Sequence, residues 1–175
     1  MKNEKICAFV SDGMSALPFG ANEEEEDCIA MKERMMTKFR RLAAGGVRRF
    51  RIVMDEGPGL YASEAILALR KETAAAAGNA AAAGKEITLS CVIPCETLAD
   101  RWQEALRDRF FSVMEQCDEE IMLSVVDTPS CRAYGMMFAA DGADAVLALP
   151  DGNPDSRTAC LLRLAQREGK ETMTV

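Results

Sequence analysis

Residues 50–70 join a glycine-rich turn to two carboxylates, and this combination limits the chemistry open to the chain. A strand-like run is broken at residues 55–59 (DEGPG), and residues 60–70 have a helical composition. Such a turn leaves backbone N–H groups free at a helix N-terminus, where the helix dipole favours a phosphate. Asp55 and Glu56 would repel a phosphate there. The turn therefore predicts an altered phosphate pocket, with a divalent metal or cationic ligand on the two acids as the weaker interpretation.

Acid–base chemistry has few candidates because the chain contains no histidine. The commonest general base and the commonest zinc ligand are thereby absent. Glu64, on the helix that follows the turn, is the best candidate acid or base, because we expect it to face the pocket. The alternative is that its charge only complements the helix dipole. The catalytic residues therefore stay unassigned.

The seven cysteines predict free thiols rather than disulfides or a metal site. Their number is odd and no Cys-x-x-Cys pair occurs, so no metal site is predicted. Cys95 follows the third predicted strand without a histidine or a cation nearby, and an inert thiol is expected there. This use of cysteine is typical of a reducing cytoplasm.

Composition excludes two classes of partner. The chain has 175 residues, a net charge of −7 and a pI of about 4.8, which disfavours binding to a nucleic-acid backbone. The N-terminal segment MKNEKICAFV has no apolar run that would span a membrane. We expect one cytoplasmic domain over residues 1–175.

Strand-like and helix-like patterns alternate along the chain. Repeated units of this kind predict an α/β fold with a mostly parallel sheet and helices on both faces. Residues 74–85 form an Ala/Gly tract that we expect to be a soft helix end or a loop. The predicted strands are 5–10, 47–54, 86–93, 120–126, 143–149 and 171–175; the predicted helices are 23–44, 60–77, 98–116, 131–140 and 157–168. The carboxyl ends of the strands should meet at one edge, where such sheets bind ligands.

Three stretches of the sequence resemble the YpsA-like family of small bacterial proteins. They are 7–20 (CAF and LPFG), 91–102 (CVIPCETLADRW) and 115–131 (EQCDEEIML and TPSC). That family belongs to the SLOG superfamily, together with the DNA-processing protein DprA and the LOG phosphoribohydrolases. The resemblance covers nearly the whole chain. It implies a Rossmann-like three-layer sandwich that binds a nucleotide or a nucleotide-derived molecule.

The departures from the family pattern fall on its ligand-facing positions. Where the family tends to have Thr-Gly-His-Arg, this chain has residues 10–13 (VSDG), and where it has Gly-Gly-Thr, residues 155–158 read DSRT. Donors that would complement phosphate are lost, and acids take their place. The positions that the resemblance assigns to ligand binding are Ser11, Asp12, Gly13, Asp55, Glu56, Gly57, Gly59, Pro94, Glu96, Trp102, Asp141, Ser156, Arg157 and Thr158. Arg157 is the cation best placed to rescue anion binding, and Trp102 either stacks on a ligand or packs on the sheet edge.

Two functions follow from this pattern. The first is a divergent SLOG domain with a degenerate nucleotide pocket, without catalysis, which acts by ligand sensing or by protein contacts. The second is a binder or hydrolase of a nucleotide-derived small molecule with altered specificity. Both leave the cofactor unknown and allow a homo-oligomer; neither includes a nucleic-acid or membrane partner.

Overall fold

Six strands alternate with five α-helices in the part of the chain that the computed structural model describes, residues 4–78 and 86–175. The strands are β1 (Lys5–Ser11), β2 (Val47–Val53), β3 (Thr88–Ile93), β4 (Glu119–Met122), β5 (Ala145–Leu149) and β6 (Glu171–Thr174). The helices are α1 (Glu26–Ala44), α2 (Pro58–Ala77), α3 (Glu104–Gln116), α4 (Cys131–Ala140) and α5 (Arg157–Arg167). A short 3-10 helix, Gly13–Ala16, follows β1.

All six strands are parallel and lie in the order β4-β3-β2-β1-β5-β6. The chain adds strands in one direction from β1 to β4 and then returns to the other side of β1. The order therefore reverses between β1 and β5, which is where Rossmann-like sheets open a crevice for a ligand. The predicted α/β class is confirmed, and the sheet is wholly parallel.

The two faces of the sheet carry different helices because alternate residues of a strand point to opposite faces. Cys7 and Phe9 of β1 pack with residues of α1, α2 and α3. Ala8 and Val10 pack with residues of α4 and α5. All four residues are fully buried, so β1 lies at the centre of a three-layer sandwich.

Three predicted boundaries differ from the observed ones by three residues or more. The first helix begins at Glu26 rather than at residue 23, because the side chain of Asn22 accepts a hydrogen bond from the Glu24 amide and holds a turn there. The third helix begins at Glu104, since residues 95–102 form consecutive turns. β4 ends at Met122 rather than at Val126, because the hydroxyl of Ser124 bonds both the carbonyl and the amide of Val126 and holds a bend there. The Ala/Gly tract falls mostly on residues 79–85, which lie outside the described residues.

Within the described ranges, none of the helices combines the length and the apolar character that crossing a membrane requires.

Candidate functional site

A cavity of about 340 Å³ opens at the carboxyl ends of β1, β2 and β5, where the strand order reverses. Loops after these strands and the first turns of α4 and α5 form its walls. The lining residues are Ser11, Asp12, Gly13, Ser15, Val53, Met54, Asp55, Arg132, Met136, Asp151, Asn153, Asp155, Ser156 and Arg157. Position and lining agree with the ligand crevice of a Rossmann-like sheet.

Asp55 occupies the anion position at the N-terminus of α2. Its Oδ1 accepts hydrogen bonds from the backbone N–H of Gly57 at 2.8 Å and of Gly59 at 2.9 Å. Pro58, between them, has no N–H to offer. Gly57 is the N-cap and has no side chain, so the carboxylate two residues upstream caps the helix instead. A phosphate oxygen bound by the same two amides would have to stand where Oδ1 stands.

Ser11 extends this arrangement to β1. Its hydroxyl donates to Oδ2 of Asp55 at 2.9 Å and accepts a hydrogen bond from the Gly13 amide at 3.1 Å. The carboxylate of Asp55 therefore joins the loop after β1 to the loop after β2. Both of its oxygens are used as acceptors, as expected for a buried charged group.

The environment of Asp55 has opposing effects on its acidity. Burial raises the pKa of its carboxyl above the ordinary value of 3.8. The amides of Gly59 and Gly57, the hydroxyl of Ser11 and the charge of Arg132 all act to lower it. The hydrogen bonds thus compensate only part of the cost of burying the charge.

Gly59 allows α2 to begin this close to the sheet. A Cβ built at Gly59 would lie 2.3 Å from the carbonyl oxygen of Val53 and 3.2 Å from Oδ2 of Asp55. No side chain fits at that distance from a backbone atom. The approach of helix to strand therefore requires a glycine here, and the amide of this glycine bonds Asp55.

The helix on the other side of the cavity is capped in a similar way. Asp12 accepts hydrogen bonds from the Asp151 amide at 2.9 Å and from the Thr158 amide, in the first turn of α5, at 3.2 Å. Ser156 is the N-cap of α5, and its hydroxyl accepts from the Ala159 amide at 3.1 Å. Both helix N-termini that meet a Rossmann-type ligand thus receive oxygens from the chain itself.

The cavity is rich in charge of both signs. Four of its lining residues are aspartates, and two are arginines, Arg132 and Arg157. Both arginines are exposed and stand at the mouth, whereas Asp55 is buried. The exposed rim therefore carries both signs, with Asp151 and Asp155 beside the two arginines, and the buried charge is negative.

Six of the residues predicted from the sequence line the cavity together. They are Ser11, Asp12, Gly13, Asp55, Ser156 and Arg157. Gly57 and Gly59 lie behind them, buried, with their amides directed to Asp55. Thr158 is also buried, and its hydroxyl has no hydrogen-bond partner among the described residues.

Glu64 does not face the cavity, so the prediction that it does is wrong. Its two carboxylate oxygens each accept a hydrogen bond from Arg109 of α3 at 2.8 Å. Arg109 also binds Glu23, which in turn pairs with Lys32 of α1. The charged groups of Lys32 and Arg109 lie over the ring of Tyr61. Glu64 therefore belongs to an ion-pair network that joins the three helices of one face.

Arg109→Ala is expected to lower the free energy of unfolding by about 1–2 kcal/mol at pH 7. Burial acts to raise the pKa of Glu23, but hydrogen bonds from Arg109 and Lys32 hold this pKa below its ordinary value of 4.5. The stabilisation is therefore present above pH 4.5 and is lost as the pH falls through the lowered pKa of Glu23. Urea denaturation at several pH values measures this, with Arg107→Ala on the exposed face of the same helix as the control. An equal cost at pH 7 and in strong acid would contradict it.

The other predicted positions lie away from the cavity. Trp102 is buried and packs edge-on against Phe110 with ring centroids 5.4 Å apart, so it belongs to the core. Asp141 ends α4 and precedes β5, at the opposite edge of the sheet. The remaining three do not line the cavity either: Glu56 and Glu96 are exposed in loops, and Pro94 is buried after β3.

Sequence reasoning missed the contribution of α4. Arg132 and Met136 line the cavity because α4 packs across β1 and β2 and brings its first turns over their carboxyl ends. Asn153 lines it as part of the loop after β5. The sequence signal was the helix start at Cys131, directly after a turn that follows a strand. A helix beginning at that edge places its first residues near the ligand crevice.

Comparison with known proteins found no matching family model and no matching curated protein.

Proposed function

We propose that the chain is a divergent, non-catalytic SLOG-type domain whose nucleotide pocket is degenerate, and which acts by ligand sensing or by protein contacts in the cytoplasm. The observation that carries the proposal is the carboxylate of Asp55 on the amides of Gly57 and Gly59. These are the donors that would hold a phosphate. The carboxylate of Asp55, which is also negatively charged, takes the place of the phosphate.

Electrostatics supports the same conclusion. A phosphate at the start of α2 would have to displace Asp55 or lie against its charge in a poorly hydrated site. Either arrangement is unfavourable by several kcal/mol. Asp12, whose carboxylate accepts a hydrogen bond from the Thr158 amide in the first turn of α5, would repel a second phosphate. The ligand class that fits the depth of this cavity is neutral or cationic.

The protein-contact part of the proposal rests on an exposed apolar surface. Tyr134, Met137 and Leu164 are 56%, 58% and 44% exposed, and they line a groove between α4 and α5. Large apolar side chains grouped on a surface are common at binding sites. All seven cysteines are free thiols, which supports a reducing compartment.

A second candidate function keeps an anionic ligand. Arg132 and Arg157 both line the mouth of the cavity and could bind a carboxylate or phosphate there. In this case the chain would bind or hydrolyse a nucleotide-derived molecule, with its anionic group at the rim rather than on α2.

A thermal-shift panel separates the two candidates. Phosphate, AMP, ADP and ADP-ribose, each with and without Mg²⁺ and Ca²⁺, are expected to leave the Tm of the protein unchanged, because a ligand raises Tm only if it binds the folded state. A concentration-dependent rise in Tm would contradict the degenerate pocket. If Arg132→Ala and Arg157→Ala removed that rise, the second candidate would replace the first.

A further inference from the structure

Three side chains with metal-binding atoms meet at the carboxyl edge of the sheet beside β3 and β4. Sγ of Cys95, Sγ of Cys131 and a carboxylate oxygen of Asp127 all lie within 4.8 Å of one another. Cys95 follows β3, Asp127 follows β4 and Cys131 is the first residue of α4. Three separate segments thus bring their donor atoms to one point, and none of the three residues lines the switch-point cavity.

The spacing of these atoms fits a tetrahedral metal ion. With metal–sulfur bonds of about 2.3 Å and metal–oxygen bonds of about 2.1 Å, tetrahedral ligand atoms stand about 3.6–3.8 Å apart. Sγ of Cys131 and Oδ1 of Asp127 are 3.5 Å apart. Since no pair in the group exceeds 4.8 Å, a movement of about 1 Å would complete the geometry.

We propose that Cys95, Asp127 and Cys131 bind one zinc ion. Two thiolates with one carboxylate form a ligand set that zinc accepts, whereas Mg²⁺ and Ca²⁺ take oxygen ligands. A disulfide would also use the two cysteines. The Asp127 carboxylate beside the Cys131 thiol adds an oxygen donor, which a metal ion would use and a disulfide would not.

The surroundings suit a metal site with one open position. Both thiols are buried, whereas Asp127 is exposed, so the fourth coordination position opens to solvent on the side of Asp127. The hydroxyl of Thr97 lies 3.9 Å from Sγ of Cys95 and can orient that ligand.

Bound zinc would join the loops after β3 and β4 to α4. A metal that binds only the folded arrangement of three segments raises thermal stability by mass action. The zinc site and the switch-point cavity share no residue.

Cobalt substitution tests the proposal on the full chain, reduced and stripped of metal. The wild type is expected to develop a thiolate-to-cobalt charge-transfer band that saturates at one Co²⁺ per chain and disappears when Zn²⁺ is added. Cys131→Ser should lose the band, and Asp127→Asn should bind Co²⁺ weaker by about tenfold or more. Cys160→Ser, which removes an exposed thiol on α5, is the matched control and should behave as the wild type.

Three results would overturn the zinc site. They are the absence of the band in folded, reduced wild type, an unchanged band in Cys131→Ser, and a Cys95–Cys131 disulfide formed in air by a protein that takes up no metal when reduced. Because Asp127 is exposed, Asp127→Asn is expected to fold. If Cys131→Ser fails to fold, the loss of Co²⁺ affinity in Asp127→Asn still decides the test.

Discussion

Replacing Asp55 by alanine is expected to lower the free energy of unfolding by about 2–4 kcal/mol. The carboxylate accepts hydrogen bonds from the amides of Gly57 and Gly59 and from the hydroxyl of Ser11. The two glycines are buried, and their amides would lose the acceptor that satisfies them. Urea denaturation monitored by circular dichroism measures the loss.

The same replacement is expected to create a phosphate site. With the carboxylate gone, the two amides at the start of α2 are free to bind an anion, and the repelling charge is removed. Phosphate and ADP-ribose should therefore raise the Tm of Asp55→Ala while leaving that of the wild type unchanged. The destabilised variant would then recover part of its stability when the ligand is present.

Glu56→Ala is the matched control for both effects. It removes the same charge from the neighbouring residue, which is exposed. Its free energy of unfolding should stay within about 0.5 kcal/mol of the wild type, and phosphate should not change its Tm. If Asp55→Ala were as stable as Glu56→Ala, the interpretation of Asp55 as an internal replacement for phosphate would be wrong.

Gly59→Ala is expected to cost about 3–4 kcal/mol or to prevent folding. The added Cβ would lie 2.3 Å from the Val53 carbonyl oxygen, which is backbone and has no alternative rotamer. Helix α2 would have to move away from β2, and the amide of residue 59 would lose its hydrogen bond to Asp55. The free energy of unfolding in urea, together with the yield of folded protein, measures the effect.

Gly135→Ala serves as the control for the glycine replacement. Gly135 lies within α4, and a Cβ there would meet its nearest neighbours at 3.6 Å, an ordinary contact distance. Since alanine favours a helix more than glycine does, this variant should be as stable as the wild type or more stable. Equal destabilisation by both replacements would show that the close approach at Gly59 is not the cause.

The sequence predicted the layers of the fold well because buried strands and amphipathic helices leave strong periodic patterns. Cys131–Ala140 was predicted with its observed limits, and the central strands were placed to within two residues. The errors fall where contacts of individual side chains determine where a helix or strand begins or ends. Glu23 looked like part of a charged first turn, but it pairs with Arg109, a residue 86 positions away. Residues 123–126 resemble a strand, yet the hydroxyl of Ser124 bonds the backbone of Val126 and bends the chain there.

The loops that line the cavity were predicted from the sequence, but the hydrogen bonds and side-chain positions within it were not. Asp55 was identified as a group that would repel phosphate, whereas its hydrogen bonds to the following amides depend on the shape of a single turn. Glu64 was placed on the correct helix and on the wrong side of it, because its partner Arg109 comes from a distant helix. Arg132 reaches the cavity only because α4 crosses the sheet there.

The most direct test of the account is a nitrogen–proton NMR titration of the wild type with AMP and ADP-ribose, read at the amides of Gly57 and Gly59. If Asp55 holds these donors, neither resonance should move in the wild type, and both should shift saturably in Asp55→Ala. Saturable shifts of both glycine amides in the wild type would show that phosphate reaches the start of α2, and would contradict the account.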